Sequence, residues 1–253
     1  MWKIFTSRSP AGMFTPAHIL SIAVCFVLIS LAVFFTRKIT QKTYFRLLKV
    51  FAVIVTLLEI VKICLTLEEG VRGIYAYLPL FFCSLFIYSL WLTCFNNKII
   101  KGFGLSYIAY AAVIAGVAFI IFPTSSFSLY PFLHFKCIHS MLFHSMMVYA
   151  GIMLYVTKSY EIKLKTILQY VIFTLTFMLL SVILNNIYGG NFMFVSNPGG
   201  IPIPLLTIIF NFSPVLYSIV MIIAHVVAIP FIVYGFAKLI GHIKSKRLSI
   251  KNV

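Results

Sequence analysis

TILQYVIFTLTFMLLSVILNNIYGG, residues Thr166–Gly190, holds no charged side chain, and the charge-free run that it opens extends over 72 residues to Ala237. At about 1.5 Å of rise per residue, one helix of that length would far exceed a hydrocarbon layer of roughly 30 Å. The run must therefore hold two crossings. Their break is legible, because Tyr188-Gly189-Gly190 and Asn197-Pro198-Gly199-Gly200-Ile201-Pro202-Ile203-Pro204 cannot continue a helix. The connecting loop is itself apolar, and we expect it to dip into the interface or cap the bundle.

Working outward, five more apolar segments are long enough to cross, so that seven are expected: about Ala17–Phe35, Leu47–Leu67, Ile74–Phe95, Gly102–Phe122, Phe132–Val156, Ile167–Ile187 and Leu216–Leu239. Alternating ten-residue strands are absent, and open sheet edges cannot sit in lipid. The reading is an all-α polytopic membrane protein, residues 1–253 forming a single seven-helix domain. The first segment is not expected to be a cleaved signal, since Thr36-Arg37-Lys38 follows where small cleavage-site residues would stand. Composition agrees. Hydrophobic residues make up 62% of the 253 positions and charged residues 9%, where a soluble domain carries about 25% charged residues.

The net charge of +16 could signal nucleic acid or a membrane. Its distribution excludes nucleic acid, because the basic residues sit in short clusters between apolar runs. They read as topology signals and as contacts with anionic headgroups at the cytoplasmic face. Arg37, Lys38, Lys42, Arg46 and Lys49, then Lys98 and Lys101, then Lys158, Lys163 and Lys165, and the C-terminal Lys238, Lys244, Lys246, Arg247 and Lys251 all fall on one side. Lys3, Arg8 and Arg72 fall on the other. Positive-inside logic puts the N-terminus outside and the C-terminus in the cytoplasm. The expected location is the cell membrane.

Ionisable groups at membrane depth are costly and default to function. Glu59 lies near the middle of the second segment with Lys62 three residues on, a spacing that also lets the two neutralise each other. His18 opens the first segment, Cys83 and Ser84 lie in the outer half of the third, and Lys136, His139 and His144 lie in the fifth. Asn185 and Asn186 end the sixth, and Asn191 follows in the loop. We expect these groups to converge on one outward-opening site roofed by the Gly189–Pro204 loop. His225, in the middle of the seventh segment, stands outside that convergence. Structural readings compete: Lys136 can snorkel, and the Asn residues can cap helices or bond across them. Cys25, Cys64, Cys83, Cys94 and Cys137 show no CxxC spacing, so neither a disulfide framework nor a metal site is expected, and no cofactor is implied.

Two function classes remain open. A Cys needs a neighbouring base to react in apolar surroundings. Cys83 with His144, or with His139, has the residue types for an enzyme that passes an acyl chain from phospholipid to lysophospholipid through a thioester. In that reading His18, Glu59, Asn186 and Asn191 would bind substrate. Alternatively Glu59, Lys62, Lys136 and the Asn residues line a path for a small solute, and the chain is a transporter or binding protein.

Leu78-Pro79-Leu80-Phe81-Phe82-Cys83-Ser84, His139-Ser-Met-Leu-Phe-His144 and Asn185-Asn-Ile-Tyr-Gly-Gly-Asn191-Phe-Met-Phe with Asn197-Pro198 resemble the YwaF-type bacterial membrane family, which is related to the eukaryotic transmembrane protein 164. The resemblance runs from about His18 through the sixth loop. It implies a seven-helix fold and acyl transfer between phospholipids by a membrane Cys. Where that family carries His two residues after the Pro, this chain has Phe81, and the eukaryotic nucleophile registers on Leu80. The resemblance therefore implies acyl chemistry through Cys83, or different chemistry altogether.

Overall fold

The structure, a computed structural model, describes residues 9–251 apart from 200 and 202, with side chains as far as residue 240 and at His242. Lys3 and Arg8 lie outside the described residues, as do the side chains of Lys244, Lys246, Arg247 and Lys251. Among the described residues every regular element is helical: α1 (Pro16–Thr36), α2 (Gln41–Glu68), α3 (Ile74–Tyr77), α4 (Leu85–Thr93), α5 (Lys98–Ile121), α6 (Phe135–Val156), α7 (Leu164–Tyr188), α8 (Pro204–Phe212) and α9, which starts at Pro214. Six of them, α1, α2, α5, α6, α7 and α9 (Pro214–Ile240), are long and apolar enough to cross a membrane. The chain is an all-helical multi-pass membrane protein.

Local chemistry sets the ends. Thr15, Thr40, Asn97 and Ser213 accept the first amide hydrogens of α1, α2, α5 and α9, and Pro16 and Pro214 occupy first-turn positions where a missing N–H is harmless. The α6 helix is capped by the ring of His134, whose Nδ1 accepts from the Lys136 amide at 3.2 Å. Gly189 ends α7 in the left-handed region at φ 68°.

The third segment corrects the sequence reading. Ile74–Phe95 is not one helix: the chain leaves helical geometry after Tyr77 and resumes it only at Leu85. Pro79 forces the cause, since the residue before a proline is pushed into extended backbone, and Leu78 sits at φ −97°, ψ 116°. Non-helical backbone at membrane depth survives only when protein covers it. Here the Tyr107 hydroxyl donates to the Phe82 carbonyl at 2.5 Å. The sixth loop also carries an unexpected helix, α8, which precedes the Ser213 cap of α9.

Two long helices contain π turns, Ile108–Ala112 in α5 and Ala224–Ala228 in α9. The most deeply packed helices are α5 and α6, which sit at the centre of the bundle. Their close approach depends on Gly116, where a Cβ would stand 2.6 Å from Val148 Cγ2 and 2.8 Å from the His144 carbonyl oxygen.

Candidate functional site

The nominated side chains divide into separate groups. The first lies between α2 and α6. Glu59, 6% exposed, pairs with Lys62 at 2.5 Å through Oε1, and its Oε2 stands 3.8 Å from His139 Nε2. Neither ring nitrogen of His139 has a hydrogen-bond partner, although the residue is 5% exposed. His144 donates from Nδ1 to the Ser140 carbonyl at 2.7 Å, which leaves Nε2 as the lone-pair nitrogen, buried and without a partner. Its ring lies flat on Phe119 at 3.7 Å. Unpaired buried polar atoms are uncommon and costly. This is an ionisable centre in which both ring nitrogens of His139 and one of His144 are left outside structural bonds.

The second group surrounds the interruption at residues 78–84. Phe81 packs against Phe192 and Phe194, ring centres 5.8 and 5.9 Å away. Those two residues belong to the sixth loop, which is drawn over the interruption and fixed from several sides. Asn185 exchanges two bonds with the Phe192 backbone at 2.7 and 3.1 Å, and the Tyr217 hydroxyl donates to the Phe194 carbonyl at 2.7 Å. Met193 and Phe194 pay for this fit with positive φ values of 56° and 55°. Cys83 is half-buried and follows Phe82, whose carbonyl is held by the Tyr107 hydroxyl. On the far side the Phe82 ring meets His225 edge-on at 4.5 Å.

The single shared cavity expected from depth does not assemble. His18 is fully buried with both nitrogens committed: Nδ1 accepts from the Phe14 amide at 2.9 Å and Nε2 donates to the Ile120 carbonyl at 3.1 Å. Asn186 is exposed and bonds back to the Val182 carbonyl of its own helix. Asn191 spans its loop, donating to Asn197 and accepting from the Ser196 and Asn197 amides. Lys136 belongs to a third cluster: it pairs with Glu69 at 2.6 Å and donates to the Tyr130 hydroxyl at 2.8 Å, beside His134. Burial pushes the Tyr130 phenol above its ordinary value, against the pull of Lys136. No hydrogen bond joins Cys83 to His139 or to the free nitrogen of His144. Among the described residues no set of three His, Cys, Asp or Glu side chains could hold a metal ion.

Between α1, α2 and α6 runs an apolar groove of about 460 Å³, lined by Cys25, Leu28, Phe51, Cys137, Met141 and their neighbours. His225 is the residue that depth reasoning passed over. Its signal was spatial, since only the fold brings α9 against the third segment.

A helical bundle that spans lipid, with buried imidazoles and a covered break in one segment, defines a multi-pass membrane protein with internal polar sites. The profile of the TMEM164 family matches residues 13–236, and the chain belongs to that family. No curated protein and no solved structure matches it.

Proposed function

We propose that this protein transfers acyl chains between phospholipids in the cell membrane, with Cys83 carrying the chain as a thioester. The observation that carries the reading is the position of Cys83 in a non-helical break inside a lipid-spanning bundle. Irregular backbone there is tolerated only where it is enclosed or lines a cavity, and a break exposes backbone donors that a continuous helix would consume. The family resemblance implies acyl chemistry, with Cys83 standing in for the nucleophile position that falls on Leu80 here. The apolar groove on α6 offers room for a lipid tail.

Atoms balance without a co-reactant. The Cys83 sulfur attacks an acyl ester carbonyl of the donor, the C–O bond breaks, and the thiol proton leaves with the glycerol oxygen as lysophospholipid. A second lysophospholipid hydroxyl then attacks the thioester, and the sulfur regains a proton. A base near the thiol is required throughout. His144 and His139 are candidates by depth; their free nitrogens support an acid–base role, while the missing hydrogen bond to Cys83 means that the 78–84 segment would have to shift toward them. Substrate contacts at Glu59 fit the same centre, whereas contacts at His18, Asn186 and Asn191 would require their present bonds to open.

The test is purified protein incubated with phospholipid bearing a tagged acyl chain. A hydroxylamine-sensitive label on the wild type that disappears in Cys83→Ser is the expected result. A label that survives Cys83→Ser would sink the thioester, and no label at all would turn attention to solute binding at Glu59, Lys62 and His139.

A further inference from the structure

Three departures from α-helical geometry meet at one level of the bundle: the interruption at residues 78–84, the π turn Ile108–Ala112 that begins just after Tyr107, and the π turn Ala224–Ala228 that contains His225. Isolated π turns are rare and recur at functional sites, because they re-aim side chains at a cost in backbone bonding. Two tyrosines tie them together. Tyr107 holds the Phe82 carbonyl at 2.5 Å, and Tyr170 holds the His225 carbonyl at 2.7 Å. The rings of Tyr107 and Tyr170 lie nearly parallel, 16° apart, with centres 6.5 Å apart. The backbones that carry Cys83 and His225 are thus fixed against each other through one pair of phenols.

We propose that His225 is the imidazole that serves Cys83. His225 Nδ1 donates to the Met221 carbonyl at 2.8 Å, so Nε2 carries the lone pair, and it makes no hydrogen bond among the described residues. The bond to Met221 does for this ring what an orienting partner does in a Cys–His pair: it fixes the tautomer and leaves the other nitrogen to accept. The ring itself is seated against Phe82, the residue beside Cys83; it makes no hydrogen bond to the thiol in this arrangement, so the Cys83 side chain would have to turn toward it. His139 and His144 face other neighbours, Glu59 with Lys62 and Phe119 respectively.

The inference rests on the acyl-transfer reading and names its base. Nε2 of His225 takes the thiol proton as the sulfur attacks the donor ester, then gives it to the departing glycerol oxygen. In the return half it takes a proton from the acceptor hydroxyl and gives it to the leaving sulfur. The Tyr107 hydroxyl is committed to the Phe82 carbonyl and acts as a positioning group.

Label transfer from phosphatidylcholine with an alkyne-tagged chain, in vesicles, tests the assignment. His225→Ala should lose about a hundredfold in labelling rate, the scale of one general base, and added imidazole should restore part of it. A His225→Ala protein that labels at the wild-type rate, or a loss that imidazole does not rescue while His144→Ala alone abolishes labelling, overturns the proposal. Should the wild type take no label, acyl transfer fails, and alkylation of Cys83 by a lipid-soluble maleimide decides the pairing by itself. Slower alkylation in His225→Ala, rescued by imidazole, keeps the pair; unchanged alkylation removes it. If His225→Ala does not fold, Tyr170→Phe keeps the imidazole and frees its carbonyl; it should slow alkylation partially, and an unchanged rate counts against the pair.

Discussion

Truncating His18 to Ala strands two backbone groups at once, the Phe14 amide and the Ile120 carbonyl, in a site buried from solvent. The expected cost is about 2–4 kcal/mol, from two unsatisfied groups and a small cavity, read as a lower melting temperature in detergent with little effect on Cys83 labelling. A change in labelling without a change in stability would instead place His18 in the chemistry. At Glu59 the expectation concerns coupling. Lys62→Ala leaves a buried carboxylate with only the His139 ring nearby and should destabilise by about 3 kcal/mol, whereas Glu59→Gln with Lys62→Met should recover most of it. Equal losses in the single and double variants would show that the pair is uncoupled. These residues also mark what a sequence can reveal. Glu59 and Lys62 could be paired from their spacing of three, because both lie on one helix. Depth alone put His18 and Asn186 in a common site, and depth does not record which way a side chain turns about its helix. The pairing of His225 with the third segment needed α9 to be folded against it.

Between α4 and α5 the limiting contact is a glycine. A Cβ on Gly104 would run into the Ser89 carbonyl oxygen and come within 3.0 Å of Leu92 Cβ. Gly104→Val should therefore force the two helices apart and cost at least about 2 kcal/mol, seen as a lower melting temperature and faster proteolysis of the segment that holds Cys83. A variant as stable as the wild type would mean that α4 docks less tightly than the contact implies. Long helices were legible as apolar runs, though the second begins at Gln41, six residues before the apolar run from Leu47, and the last continues past Leu239 to Lys251. In the third segment Pro79 marked where the helix opens, but not how far. One proline can kink a helix and let it resume, and what keeps seven residues out of helix here is tertiary: the Tyr107 hydroxyl and the loop rings against Phe81. The two π turns carry no local signature, since IAYAA and AHVVA differ little from any apolar helix.

For the molecule as a whole, charge distribution remains the guide to orientation. Probes near Phe127, such as one at the exposed Leu129, and near Asn197 should react with a membrane-impermeant maleimide from outside, and probes near Lys42 and Lys163 should not; the reverse pattern would invert the topology. Six long helices with an odd crossing at the interrupted third segment satisfy that pattern only if residues 74–93 traverse the bilayer, so the labelling also tests the seventh crossing. The attachment of α1 has a further consequence. It is pinned at one end by His18 and at the other by Thr36, whose hydroxyl meets the Tyr149 hydroxyl at 2.8 Å, while Cys25 and Leu28 between them face the open groove. A rod fastened at both ends cannot fold inward to close the gap along its middle. In a bilayer the gap fills with hydrocarbon from the surrounding leaflet, so that a lipid tail becomes part of the wall. The protein should carry lipid with it through gentle extraction, and harsh delipidation should loosen α1 before any other helix.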